Sequence, residues 1–138
     1  MTSSNRSMAR LLRPGSVAIV GASNRSGSFS YNLLNSLRSN GYQGQLLPIN
    51  PRYTEIDGIP CYPSFADLPV TPDCALYAVG DRNLIPMVEL AAQAGVGGGV
   101  IFGRVQGHDD QGRDIQSSIS EIGRRADMAI CGGNCMGY

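Results

Sequence analysis

Lysine and tryptophan are absent from this chain and histidine occurs once, so all eleven basic side chains are arginines. Without lysine there can be no Walker-type phosphate loop, no Schiff-base amine and no lysine general base. Charge is sparse at 16 %, and eleven acids cancel the eleven arginines. A formal net charge of zero gives no overall field for nucleic acid or an anionic membrane, and neither is expected as a partner. The four cysteines, Cys61, Cys74, Cys131 and Cys135, contain no C-x-x-C pair. With His108 the lone histidine, a zinc site would need an unusual ligand set; no metal is expected, and reduced thiols in a cytoplasmic protein are the default reading. No run approaches the ~18 apolar residues of a membrane span, and no secretory apolar core follows the first charges. The leader carries Arg6, Arg10 and Arg13 with no acid, a pattern that outwardly suits a transit peptide. Residues 1–13 are instead expected to be a tail with a short helical turn, Met8 to Leu12, packed beneath the first strand.

What is present suits one compact domain, residues 14–138 of the 138-residue, 14.6 kDa chain, with 42 % apolar residues and many turn formers, Gly 18 and Pro 8. Ser16 to Gly21 is a short apolar run ending in glycine, as in a strand buried on both faces. Phe29, Leu33, Leu34 and Leu37 then share a helical face that stops at Asn40-Gly41. Gln45 to Asn50 reads as a second strand in which Pro48 implies irregular pairing. Pro51 to Pro72 reads as a long connection with a helical period only from Ser64 to Leu68. Cys74 to Val79 is the third buried strand, and Leu84, Ile85, Val88, Ala91 and Ala92 mark a helix ending at Gly95. Gly99 to Phe102 is the fourth strand. Ile115, Ile119, Ile122 and Ala126 make an amphipathic helix before the fifth strand, Met128 to Cys131. Strands alternating with crossovers predict an α/β, Rossmann-like, doubly wound fold: a five-stranded, mainly parallel sheet with helices on both faces. Ligands in such sheets bind beyond the carboxyl ends of the strands, which directs attention to the loops after Val20, Ile49, Val79, Phe102 and Cys131.

The first of these loops is Gly21-Ala-Ser23-Asn24-Arg25-Ser26-Gly27-Ser28. Backbone N–H groups and the helix dipole favour a phosphate there, and the hydroxyls, the Asn24 amide and the Arg25 guanidinium add donors. An ordinary tight βα turn is the competing reading, because the spacing is G-x5-G rather than G-x-G-x-x-G. The second loop, Asn50-Pro51-Arg52, lacks the acid that holds a ribose 2′-hydroxyl in plain NAD sites. A guanidinium there suits a ribose phosphate, which NADP carries on the 2′ oxygen and coenzyme A on the 3′ oxygen; a solvated surface arginine is the alternative.

Arg13 to Ser23, Pro48 to Tyr53, Gly58 to Pro69, Ala94-Gly95 and Gly133 to Gly137 together resemble the CoA-binding domain of NDP-forming acyl-CoA synthetases, the group of ADP-forming acetate–CoA ligase and the succinyl-CoA synthetase alpha subunit. The likeness runs in order from about residue 10 to the end of the chain. It implies that Gly21, Ser23 to Ser28 and Asn50, Pro51, Arg52 and Tyr53 hold the phosphates and adenosine of coenzyme A. It also implies that the loop Val79-Gly80-Asp81-Arg82 lines the adenine or pantetheine side, and that Phe102, Gly103, Arg104, Asn134 and Cys135 meet the coenzyme, Cys135 at the pocket floor and not as a nucleophile. Two segments depart from the family pattern: Gly132-Gly133-Asn134-Cys135 stands for the usual Gly-Pro-Asn-Cys, and Gly103 to His108 replaces a small-residue, Gly-Phe-rich loop.

The resemblance further implies that the histidine carrying the phosphoryl group and the ATP-grasp module lie in other domains or in a beta-type subunit, which are expected partners. The domain would anchor coenzyme A or acyl-CoA for thioester formation from a carboxylic acid, with no catalytic residue of its own, and a homo-oligomer is compatible with this. The alternatives are a stand-alone, non-enzymatic CoA-binding regulatory protein and an NADP-binding oxidoreductase domain. His108 reads as an exposed loop residue, Asp109-Asp110 as a solvated turn capping the following helix, and Arg124-Arg125 as a helix end that suits the dipole.

Overall fold

The computed structural model describes residues 14–79, 81–102, 107–108 and 112–131, excluding the side chains of 81–83 and 131. The expected tail and short helix over 1–13 lie outside the described residues. Five apolar runs form one parallel sheet: β1 (Ser16–Val20), β2 (Gln45–Ile49), β5 (Cys74–Tyr77), β6 (Gly98–Ile101) and β7 (Ala129–Cys131). Their spatial order is β2-β1-β5-β6-β7. The chain therefore steps from β1 outward to β2, then returns across β1 to β5 and continues the other way. Right-handed crossovers in opposite directions put their helices on opposite faces.

Strand alternation divides the core accordingly. Val17 and Ile19 point to the face covered by α1 (Phe29–Ser39), where they meet Leu34, Ile56 and Cys61. Ala18 and Val20 point to the face covered by α2 (Asp81–Ala94) and α3 (Ile115–Ala126), where they meet Leu84, Val88, Ile115 and Ile119. Both sheet faces are thus buried, which is why the strands are continuously apolar rather than alternating. Among the described residues no helix is long and apolar enough to cross a membrane.

Helix ends follow local chemistry. The Ser28 hydroxyl oxygen accepts from the Tyr31 N–H at 3.3 Å and caps α1; such a cap contributes about 1 kcal/mol. At the other end the Gly41 N–H donates to the Arg38 carbonyl and the Tyr42 N–H to the Leu37 carbonyl, closing the helix as a Schellman motif. Asp114, rather than the expected Asp109-Asp110, caps α3: its carboxylate accepts from the Ser117 N–H at 2.9 Å, and hydrogen bonding to Ser117, through its side chain first and its backbone N–H second, holds the carboxyl below the usual range.

Several expectations need correction. Pro48 does not disturb pairing: it keeps register opposite Ile19. Its strand is an edge, and the Pro48 carbonyl points outward to accept from the Tyr62 N–H, so the missing proline N–H also faces away from β1. The connection after β2 is not featureless. It holds a hairpin, β3 (Glu55–Ile56) with β4 (Ile59–Pro60), turning at Asp57-Gly58 where both φ angles are positive, +50° and +84°. This is the type I′ geometry that Asp-Gly favours. Only a short 3₁₀ turn, Phe65–Asp67, follows. Helix α2 begins at Asp81 rather than Leu84, because its first turn is polar in sequence and gives no apolar period. Phe29 is 54 % exposed and Ala126 is exposed, so neither belongs to its helix's buried stripe; Gly123 completes that of α3, pressed against Ile130 and the Met128 carbonyl.

Candidate functional site

All five strands end at one edge of the sheet, and the winding reverses between β1 and β5. A crevice must open there, since the loops after these two strands lead to helices on opposite faces. The structure has a cleft of about 320 Å³ at this place. Val20 and Gly21 from the end of β1, Ile49, Asn50, Pro51 and Arg52 from the end of β2, and Pro63, Val79 and Met87 line it.

Asn50 organises this edge. Its side-chain N–H donates to the Ala22 carbonyl at 2.8 Å, while its Oδ1 accepts from the Arg52 N–H at 2.9 Å. Its own N–H donates to the Tyr62 carbonyl at 2.9 Å, and the Cys61 thiol lies 3.6 Å from its carbonyl oxygen. One side chain therefore ties the β1 loop to the β2 loop and folds the turn that projects Arg52. Each such bond is worth about 1 kcal/mol net. Burial pushes the Cys61 thiol up, so it stays protonated and acts as a donor behind the cleft wall.

The β1 loop is pulled toward β2 as well. The Gly21 and Ala22 N–H groups both donate to the Ile49 carbonyl, at 3.0 and 3.2 Å. These two N–H groups, expected at a phosphate, are thus consumed by the sheet edge. The Arg25 N–H donates to the Ser23 hydroxyl oxygen at 3.0 Å and the Ser28 N–H to the Arg25 carbonyl at 3.1 Å, so residues 23–28 form a compact arc. Asn24, Arg25, Ser26 and Gly27 are exposed on that arc, immediately before the start of α1, whose first N–H groups have no carbonyl to bond within the helix. Among the described residues Arg38, Arg113 and Arg124 are ion-paired, with Asp57, Glu89 and Glu121, whereas neither Arg25 nor Arg52 is.

Of the residues singled out from the sequence, Gly21, Asn50, Pro51, Arg52 and Val79 meet in the cleft. Ser23, Asn24, Arg25, Ser26, Gly27 and Ser28 form its neighbouring arc and do not line it. Tyr53 packs against the core beneath α1. Phe102 lies at the end of β6, its ring edge-on to Phe29 with centroids 5.1 Å apart. Asp81 and Arg82 belong to the first turn of α2, not to a loop, and their side chains are outside the description. Gly80, Gly103, Arg104, Asn134 and Cys135 lie outside the described residues. His108 is exposed, beside Asp114, as expected.

Pro63 and Met87 were missed. Pro63 reaches the cleft only because Tyr62 forms a parallel bridge with Ile49, a long-range pairing with no local signal. Met87 stands at the fringe of the α2 stripe, three residues after Leu84, and that offset could have flagged it.

Comparison with known proteins agrees with this architecture. A trans-feruloyl-CoA synthase from an unknown prokaryote is 37 % identical over 135 residues, which is 97 % of this chain and 19 % of that protein. An ADP-forming acetate–CoA ligase of Methanocaldococcus jannaschii is 36 % identical over 125 residues, 90 % of this chain and 17 % of the ligase. This chain therefore spans less than a fifth of the length of these relatives. Among solved structures, a dinucleotide-forming acetyl-coenzyme A synthetase of Ca. Korarchaeum cryptofilum, in complex with phosphate and ADP, superposes with a TM-score of 0.83 at 27 % identity, covering 96 % of this chain and 28 % of that one. The family described as the CoA binding domain matches residues 15–138, and this chain belongs to it.

Proposed function

We propose that this domain binds coenzyme A at the β1/β5 crevice and presents it to an NDP-forming acyl-CoA synthetase reaction, in which a carboxylic acid and coenzyme A form a thioester. The observation that carries the reading is the pair of arginines at the carboxyl edge, Arg25 and Arg52, which lack an acidic partner among the described residues and flank the cleft and the start of α1. A cation without a partner beside a helix N-terminus suits a phosphorylated nucleotide. Membership of the CoA binding domain family supports coenzyme A as that nucleotide.

The residues present fit such a ligand. The cleft is mostly apolar, with Val20, Ile49, Pro51, Pro63, Val79 and Met87 on its walls, as the flat face of an adenine requires, and Arg52 stands at its rim for the ribose phosphate. The arc from Ser23 to Ser28 receives the diphosphate. When bound, coenzyme A supplies the thiol that attacks an activated carboxyl group. The chain's own residues bind and orient: Asn50 holds the two loops in register, and Arg25 and Arg52 fix the nucleotide end so that the tail has a defined direction. The phosphoryl-carrying histidine and the nucleotide-binding module belong, in this reading, to further domains or a partner subunit.

Thermal unfolding with added ligand tests the proposal. A ligand at a hundred times its Kd stabilises by about 2.7 kcal/mol, roughly 10 °C in Tm for a chain of this size. Coenzyme A is expected to give the largest shift, 3′-dephospho-CoA a smaller one, and NADP the least. Equal responses to NADP and coenzyme A would overturn the assignment.

A further inference from the structure

Phe29 is the most exposed large apolar side chain among the described residues, 54 % accessible, and it occupies the first position of α1, directly after the Ser28 cap. An aromatic ring at the start of a surface helix gains nothing from water. It does not reach the core stripe of its helix, where Ser30 and Leu34 are the buried residues. Its ring meets Phe102 edge-to-face, at an interplanar angle of 64°. That contact fixes its direction: Phe102 follows β6, which lies beyond β5 from β1, on the side of the switch point opposite β2. The cleft lies toward β2; the aromatic pair lies toward β6. Neighbouring strands are about 4.8 Å apart, so β2 and β6 are separated by roughly 14 Å along the edge, with the start of α1 between them.

A ligand with its nucleotide in the cleft and its phosphates at the arc therefore meets the aromatic pair next. We infer that Phe29, braced by Phe102, is the apolar rest for the sulfur-bearing arm of the coenzyme, and that it makes the site prefer coenzyme A over adenine nucleotides that lack the arm. The inference rests on the coenzyme reading above. Phe29 is here a positioning and specificity residue, with no part in bond making.

Calorimetric titration of the full chain with coenzyme A and with adenosine 3′,5′-bisphosphate separates the possibilities, in the unmodified protein, Phe29→Ala, Phe29→Tyr and Val70→Ala. Val70 is another exposed apolar residue, 43 % accessible, and precedes β5 at the opposite edge of the sheet. Loss of about 50 Å² of apolar contact corresponds to roughly eightfold weaker binding. Phe29→Ala should weaken coenzyme A by about that factor and leave the bisphosphate within about twofold, while Phe29→Tyr and Val70→Ala stay near the unmodified affinity. Equal losses for both ligands, or an unchanged coenzyme A affinity in Phe29→Ala, would overturn the inference while leaving the site assignment standing. Absence of coenzyme A binding by the unmodified chain would overturn both.

Discussion

Gly21 and Gly27 open and close the same loop with nearly the same backbone, φ +83° and +88°, but in opposite surroundings. A Cβ on Gly27 would meet nothing within 4 Å, whereas one on Gly21 would lie 2.6 Å from the Ala78 carbonyl oxygen and 2.8 Å from Val79 Cγ1. Gly27→Ala therefore measures left-handed strain alone. That strain costs about 1–2 kcal/mol, partly offset by the ~0.4–1 kcal/mol an alanine gains by restricting the unfolded chain, which leaves about 1 kcal/mol. Gly21→Ala adds an overpacking cost of about 1–3 kcal/mol, because the atom it strikes is backbone following β5. The expected losses are thus about 1 and about 2–4 kcal/mol. Urea unfolding followed by circular dichroism reads both from the midpoint at constant m. Gly21→Ala should also push the β1 and β5 loops apart and weaken coenzyme A binding. If the two variants lose equal stability, the close approach of these loops at the crevice is not what demands glycine there.

Asn50→Ala removes the bonds to the Ala22 carbonyl and the Arg52 N–H and should cost about 2 kcal/mol, with a loss of coenzyme A affinity that Asn50→Asp only partly restores; unchanged binding in Asn50→Ala would deny its organising role. Gly99→Ala would place a methyl 2.8 Å from the Tyr77 ring on the neighbouring strand, and a drop in thermal midpoint with unaltered ligand preference is expected, because this contact lies in the sheet and not at its edge. Burial pushes the Cys74 thiol up from 9.0 to about 12, with the nearby Asp73 charge adding to the shift. Its folded value exceeds the unfolded one, so its contribution is whole below about pH 9 and declines as pH rises toward 12; about 2 kcal/mol should be gone by roughly pH 10.5. Tyr77, also raised mainly by burial, steepens the loss at higher pH. A Cys74→Ala chain with the same alkaline slope as the unmodified one would contradict this account.

How far the site could be read beforehand depended on whether its parts were local. The Ser23 to Ser28 arc and the Asn50 to Arg52 turn were legible because each is a few residues of turn chemistry beside a buried strand. Asp57-Gly58 was equally local, since Asp-Gly between short apolar segments is a strong hairpin signal, yet the five prolines from Pro51 to Pro72 masked it. Phe29 illustrates the opposite limit. At helical spacing it is indistinguishable from Leu33 and Leu37, and its exposure follows from where the sheet edge ends.

Sequence alone determined the five buried strands and the arginine-only cation set, because both arise from side-chain chemistry acting over a few residues. Tertiary structure decided the strand order β2-β1-β5-β6-β7, and with it the position of the crevice, the edge role that accommodates Pro48, and the meeting of Asn50 with Ala22 and of Phe29 with Phe102. Those pairings join residues far apart in the chain, and they become favourable only after the right-handed crossovers have brought the ends of the parallel strands to one edge.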